Sequence, residues 1–200
     1  MLKFNTDAIL NKIRKNTLVS SKYQTKDWRK KQNWYCNGKK NECEKYQEKT
    51  LRDIKLDINK NEANNFRLNL ITNSIVNVHS LKKQLTNWCD VSFEYSENFD
   101  FMLENEKNIY LFNLKFICGS GGIQIRSLKE VYHFINSQYQ CECLINDKKI
   151  VFINLLDGDF CYNNKNKFSY LSSLYKHKNN VHILDTYTFI NKSSTILKIV

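Results

Sequence analysis

Two polar residues, Asn113 and Lys115, interrupt the most apolar stretch of the sequence, residues 109–118. Side chains two positions apart in a strand point to the same face. A buried polar group or charge is costly unless it has a partner, so these two residues need a chemical reason to be there. Asp100 lies on the preceding predicted strand, across the polar turn 104–108. If the two strands pair as a hairpin, the Asp100 carboxylate approaches the Lys115 ammonium.

An acid, a turn and a strand carrying x-x-Lys resemble the PD-(D/E)XK nuclease superfamily, and within it the Type II restriction endonucleases. The resemblance covers about residues 90–190. The matching segments are 99–103, 111–116, the glycine loop 119–122, the helix containing 126–130 and the later strands 151–159 and 181–187. The resemblance implies hydrolysis of phosphodiester bonds in double-stranded DNA with Mg²⁺. It assigns a metal-ligand role to Asp100 and gives Lys115 the role of activating the attacking water. It also implies a homodimer.

The sequence departs from that family at Asn113, where the pattern has Asp or Glu. Three interpretations stay open. The missing carboxylate comes from the following helix, where Glu130 lies 15 residues past Lys115. Alternatively, Asn113 is an inactivating change and the chain is a DNA-binding protein whose catalysis has lapsed. In the third interpretation the resemblance is accidental. A repair or recombination nuclease of the same superfamily is a further alternative to a restriction enzyme.

The phase of the helix at 125–137 decides whether Glu130 reaches the strand. If Tyr132 joins the apolar stripe of that helix, Glu130 points into solvent. If Phe134 joins it, Glu130 lies beside the buried stripe. Other acidic residues are weaker candidates, because a solvated helix face or a plain turn accounts for them: Glu48, Asp157 and Asp159.

The glycine loop 119–122 joins a predicted strand to a predicted helix. Its amides suit a phosphate at a helix N-terminus, and a structural turn explains the loop as well. Gln and Arg side chains read base edges, and cations clamp phosphates. We therefore predict DNA contacts at Gly121, Gln124, Arg126 and Lys129, the alternative for the polar side chains being an exposed helix start.

Charge is distributed unevenly along the 200 residues, whose net charge is +11. Residues 1–60 hold 16 Lys and Arg against 7 Asp and Glu, whereas residues 61–130 hold 7 against 8. A basic first third with interspersed aromatic residues is typical of a surface that binds a phosphate backbone. Acidic residues gather instead between Asp90 and Glu106. A local acidic cluster in a basic protein is what a cation site on a DNA enzyme requires.

Periodicity predicts helices at 7–17, 43–58, 125–137 and 164–176, and strands at 66–70, 91–95, 99–103, 109–118, 150–156 and 181–188. This order predicts an α/β fold with a mixed central β-sheet flanked by helices, restriction-endonuclease-like by the resemblance. We expect one domain, with a basic helical N-terminal part (about 1–60) and a catalytic core (about 90–190). No apolar run is long enough for a membrane span, and no export signal is evident, so we expect a cytoplasmic protein with reduced cysteines. The cysteine spacing does not suit a zinc site.

Overall fold

The computed structural model describes residues 18–32, 35, 42–53, 60–78 and 95–197. The described N-terminal part holds a 3-10 turn at Ser21–Tyr23 and three helices: α1 (Lys26–Lys30), α2 (Glu42–Asp53) and α3 (Lys60–Ala63). Three short strands follow: β1 (Phe66–Asn69), β2 (Ser74–Asn77) and β3 (Ser96–Asn98). They form an antiparallel sheet in the order β2-β1-β3.

The central sheet is built from β4 (Phe101–Glu104), β5 (Asn108–Phe116), β6 (Leu144–Ile145), β7 (Lys148–Asp157) and β8 (Val181–Leu184). β4 and β5 form an antiparallel hairpin in which Phe101 lies opposite Phe112. β5, β7 and β8 run parallel to one another. The two-residue strand β6 pairs antiparallel with the beginning of β7. The sheet is therefore mixed.

Helices connect the parallel strands and cover both faces of the sheet. α4 (Gly122–Gln140) links β5 to β7, and α5 (Asp159–Asn163) with α6 (Lys165–Leu174) links β7 to β8. α7 (Thr186–Leu197) follows β8. β5 alternates between the two cores: Ile109 and Leu111 pack with α4, whereas Tyr110 and Phe112 pack with α7. Parallel strands buried on both faces read as continuous apolar runs, which explains why β5 and β7 stand out in the sequence.

The predicted mixed α/β architecture with flanking helices is confirmed. The strands predicted at 66–70, 99–103, 109–118 and 150–156 correspond to β1, β4, β5 and β7. The helix predicted at 125–137 is longer, and the one predicted at 164–176 corresponds to α6, which the short helix α5 precedes. The predicted helix 7–17 and residues 91–94 of the predicted strand 91–95 lie outside the described residues. Tyr95, the last residue of that strand, is in a turn.

The strand predicted at 181–188 is wrong in its second half, because β8 ends at Leu184 and α7 begins at Thr186. The Asp185 carboxylate Oδ1 accepts a hydrogen bond from the Thr188 backbone N–H at 2.8 Å, which caps the helix. Ser21 ties the same carboxylate to the N-terminal part, since both its backbone N–H and its hydroxyl donate to Oδ2 at 3.0 Å. Across the described ranges, the helices fall short of the length and apolar character that crossing a bilayer requires.

Candidate functional site

A cavity of about 220 Å³ lies where β5 faces α4. β5 supplies Asn113 and Lys115, and α4 supplies Glu130. Further lining comes from the beginning of α2, the end of β3, the end of β5 with the residue after it, and α4: Glu44, Glu97, Asn98, Phe116, Ile117, Ser127, Val131 and Phe134. Three side chains predicted from the sequence therefore converge on one cavity.

Asn113 is held in a buried network of side-chain amides. It lies opposite Asn154 in the parallel register of β5 and β7, and its Nδ2 donates to Asn154 Oδ1 at 2.9 Å. The same oxygen accepts from Gln138 Nε2 at 3.1 Å, and Asn154 Nδ2 donates to Gln138 Oε1 at 2.7 Å. Asn154 Nδ2 also donates to the His182 carbonyl at 3.3 Å. Position 113 thus has a structural role that an acid would not fill in the same way.

Lys115 lies two residues further along the same face of β5, is only partly buried and lines the cavity. Its backbone carbonyl accepts a hydrogen bond from Gln47 Nε2 at 3.2 Å. Gln47 Nε2 also donates to the Leu155 carbonyl at 3.0 Å. These two hydrogen bonds join α2 to both β5 and β7. They fix the end of β5 from which the Lys115 side chain extends.

Asp100 is placed where the chain passes from β3 to β4. Its backbone N–H donates to the Phe112 carbonyl at 2.8 Å, and its carboxylate Oδ2 accepts from the Leu114 N–H at 2.7 Å. The carboxylate therefore lies beside the backbone of Leu114, the residue before Lys115. The side chain is directed to the backbone of β5, and Asp100 is not among the residues that line the cavity.

Glu130 lies on the cavity side of α4. Phe134 is buried at 5% exposure and joins the apolar stripe, whereas Tyr132 is only partly buried. This is the helix phase that sets Glu130 beside the buried stripe. Its carboxylate pairs with Arg126 at 3.2 Å, one helical turn earlier, and both side chains are largely exposed. Such exposed pairs contribute little, so the Glu130 carboxylate exchanges partners at low cost.

Two further glutamates, Glu44 and Glu97, line the cavity and were not singled out from the sequence. Glu97 belongs to the acidic segment between Asp90 and Glu106, and Glu44 lies one turn before Glu48 on α2. Glu48 instead pairs with Arg52 at 3.2 Å, which agrees with a solvated helix face. The acidic cluster was thus a usable signal for Glu97, whereas only the packing of α2 selects Glu44.

Asp157 and Asp159 have structural partners elsewhere. Asp157 is buried on the face of β7 that packs against α7, where its Oδ2 accepts from Gln47 Nε2 at 2.7 Å and from the Thr186 hydroxyl. Burial raises the pKa of its carboxyl to about 6 from an ordinary value of 3.8. Asp159 begins α5 and accepts from the Gly119 N–H at 2.8 Å. The Asp157-Gly158-Asp159 segment therefore connects elements and does not line the cavity.

The residues predicted to contact DNA lie at the start of α4. Gly121 precedes the helix with a φ of 142°, a conformation that favours glycine, and Arg126 and Lys129 are exposed. Arg126 is on the cavity side with Glu130, whereas Lys129 lies on the opposite flank of α4. In the preceding loop, a Cβ on Gly119 would lie 2.1 Å from Lys26 Cε. The glycine loop therefore passes close to a basic residue of α1 at Gly119.

The donors around the cavity fit the chemistry of Mg²⁺, which prefers carboxylate and water oxygens. Within the described ranges, no group of three or more His, Cys, Asp or Glu is placed to hold an ion. Magnesium commonly takes only one or two carboxylates from a protein and fills its other positions with water and substrate oxygens. Glu130, with Glu97 or Glu44, is a donor set of that size.

No protein-family model, curated protein or solved structure matches this chain. The site itself consists of an ammonium, carboxylates and a buried amide around one cavity.

Proposed function

We propose that this chain is a Mg²⁺-dependent, sequence-specific endonuclease of the restriction type, acting on double-stranded DNA in the cytoplasm. The observation that carries the proposal is the convergence of Lys115, Asn113 and Glu130 on one cavity beside Glu44 and Glu97. The cavity residues come from α2, β3, β5 and α4, so their meeting is a property of the fold. An ammonium among carboxylates is suited to a phosphodiester and its counter-cation.

The order of elements supports a restriction-endonuclease-like fold. Asp100 immediately precedes the hairpin β4–β5, whose second strand carries Lys115. The parallel strands β5, β7 and β8 follow, with α4 in the first crossover. This arrangement is the one that the resemblance implies for residues 90–190. A homodimer is part of the proposal, since a two-fold axis matches the symmetry of a palindromic site.

Each residue has a defined task in this proposal. Bound Mg²⁺ would polarise the scissile phosphate and lower the pKa of a water ligand. Glu130 and a second cavity glutamate would hold the ion, and the Lys115 ammonium would orient the attacking water and offset negative charge on the phosphate. Asn113 fixes the strand beside them through Asn154. Lys26 and Arg126 would hold the DNA backbone near the glycine loop.

Plasmid cleavage with and without Mg²⁺ tests the proposal. We expect discrete fragments from the parent chain and a loss of roughly 100-fold or more in Lys115→Ala and Glu130→Gln. Matched controls are Lys149→Ala and Glu142→Gln, which remove the same charges from exposed positions that do not line the cavity. Asp100→Ala tests the predicted metal ligand. Equal loss in the controls, or no cleavage of any DNA in a panel of duplex, branched and single-stranded substrates, would refute the proposal.

A lapsed nuclease that still binds DNA is the second candidate, and one specific observation favours it. Both predicted metal ligands already have an intramolecular partner, because Asp100 accepts from the Leu114 N–H and Glu130 pairs with Arg126. Asn113, at the position of the usual acid, donates to Asn154. DNA that is retarded in a gel but remains uncut in Mg²⁺ would select this candidate. In that case Lys115→Ala would change binding by no more than the loss of one phosphate contact.

A further inference from the structure

An apolar groove of about 530 Å³ lies between α4 and α6, on the flank of α4 opposite the cavity. Ile125, Leu128 and Tyr132 line it from α4, and Tyr170 faces them from α6. Ile125 is 49% exposed and Tyr170 is 62% exposed. Spacings of three and four residues set the α4 side chains along one stripe. Contiguous exposed apolar surface of this kind marks an interaction site.

The rim of the groove carries cationic and amide side chains. Lys129 and His133 border it on the α4 side, and Asn166 and Lys167 border it on the α6 side. No carboxylate is among the lining residues in the part of the chain that the structure describes. An occupant that matches this surface is apolar toward the floor of the groove and negatively charged toward its rim.

Charge complementarity separates the classes of occupant. A second copy of this chain related by a two-fold axis would bring the Lys129 and Lys167 rims toward each other, and like charges across an interface are costly. Duplex DNA supplies the negative charge but presents sugars and phosphates, which leave Ile125 and Tyr170 without an apolar partner. A helix with acidic flanks and an apolar stripe satisfies both the floor and the rim.

We propose that the α4–α6 groove docks an acidic amphipathic helix of a partner protein. Two helices already form the walls, so the partner helix packs as a third at the usual interaxial distance of about 8–10 Å. Its apolar side chains at i, i+3, i+4 and i+7 enter the groove, and its Asp and Glu side chains face Lys129 and Lys167. This surface is separate from the proposed nuclease cavity and stands without it.

The test is a selection from a displayed library of helical peptides against the full chain. The apolar stripe of the peptides is kept, and their flanking positions range from all-acidic to all-basic. We expect acidic peptides to be enriched, with affinity that falls as salt rises. Fluorescence anisotropy of an enriched peptide should show a loss of about ten-fold or more in Tyr170→Ser and of several-fold in Lys167→Glu. Both positions are exposed, so the variants are expected to fold.

Leu174→Ser is the matched control, because Leu174 is 54% exposed on the same helix but does not line the groove. It should leave peptide affinity unchanged. Several results would overturn the proposal: enrichment of basic peptides, no enrichment, or acidic peptides that bind Tyr170→Ser as well as the parent. Displacement of the peptide by a single-stranded oligonucleotide with equal dependence on Tyr170 would reassign the groove to nucleic acid. Dimerisation in sedimentation that Tyr170→Ser abolishes would reassign it to a second copy.

Discussion

Restoring an acid at position 113 tests whether the amide there is a lost ligand or a structural residue. In Asn113→Asp the side chain keeps its size but loses the donor that reaches Asn154 Oδ1 at 2.9 Å. The Asn154 amide cannot simply rotate to compensate. Its present orientation is held by both bonds to Gln138 and by the bond to the His182 carbonyl. The new carboxylate therefore faces an oxygen.

The size of the effect follows from burial. Asn113 is 2% exposed, so an ionised carboxylate there is removed from water and left facing an acceptor. An unsatisfied buried polar group costs about 1–3 kcal/mol, and a buried unpaired charge costs more. We expect Asn113→Asp to lower the free energy of unfolding by about 2–4 kcal/mol at pH 8.

The loss should depend on pH with a defined sign. Burial disfavours the ionised form, so the folded-state pKa of the new carboxyl lies above its unfolded value. A group with a raised folded pKa stabilises the fold at low pH and ceases to do so as the pH rises through that value. Below it, the protonated carboxyl donates to Asn154 Oδ1 as the amide did. The deficit should therefore shrink markedly between pH 8 and pH 5.

Urea unfolding at the two pH values measures this, with Asn98→Asp as the matched control. Asn98 lines the same cavity but is exposed, so the same added charge should shift stability by about 0.5 kcal/mol or less. An Asn113→Asp variant as stable as the parent at pH 8 would refute the buried-network argument. If that variant also gained Mg²⁺-dependent cleavage, Asn113 would be an inactivating change in an otherwise intact site.

Substitutions at four other positions have predictable effects on stability. Because burial raises the pKa of Asp157 to about 6, the parent should lose about 2 kcal/mol of stability relative to Asp157→Asn as pH rises from 4 to 7. Urea unfolding measures this, and parallel pH profiles of the two proteins would contradict it. Gly158→Ala should cost about 2 kcal/mol or more, because its φ is +95° and a Cβ would lie 2.1 Å from a backbone carbonyl oxygen. Gly122→Ala, whose Cβ meets nothing within 4 Å, should be neutral or stabilising, and thermal melts of both glycine variants measure the difference. Tyr110→Phe should cost about 1–2 kcal/mol and raise hydrogen exchange in α7, since the Tyr110 hydroxyl donates to the buried Leu197 carbonyl at 2.7 Å; unchanged exchange would show that this bond does not secure the helix.

The central strands are predictable from the sequence because their two faces are both buried. β5 and β7 read as long apolar runs, and the polar turn before β5 gives the hairpin with β4. The register between β5 and β7 is harder to predict from the sequence. Asn113 and Asn154 are over 40 residues apart in the sequence. They lie opposite each other only because the crossover through α4 places β5 and β7 side by side. A pair of buried amides therefore looks like two unrelated anomalies until the strands are aligned.

The C-terminal helix shows where local pattern misleads. Tyr187, Thr188, Phe189 and Ile190 are aromatic or β-branched residues that favour strands, and they continue directly from β8. Helical spacing of the buried residues outweighs that preference: Thr186, Phe189, Ile190, Ser193 and Leu197. Asp185 was the available signal, since Asp before an apolar periodic segment is a typical N-cap. Packing of α7 on the sheet then stabilises the helical conformation of this segment.

The sequence leaves two alternatives for Glu130, a position in solvent or a position beside the buried stripe of α4, and does not choose between them. Both Tyr132 and Phe134 are large and apolar enough to complete the stripe of α4. The choice depends on what lies opposite, and Phe99 and Phe152 meet Phe134 in one aromatic cluster, with the Phe99–Phe134 ring centroids 5.3 Å apart. Tyr132 packs instead toward Phe168 of α6. Tertiary contacts with residues before and after α4 in the sequence thus orient Glu130.

Two neighbouring positions on the same face of β5, Asn113 and Lys115, have different roles. Asn113 is enclosed by Asn154 and Gln138, whereas Lys115, about 7 Å further along the strand, extends into the cavity. Buried amides satisfied by one another specify the pairing of β5 with β7, and that pairing sets where Lys115 emerges relative to Glu130 on α4. An apolar pair at 113 and 154 would preserve burial but remove this specification. The two polar interruptions of the apolar strand are therefore parts of one arrangement, in which the first fixes the position of the second.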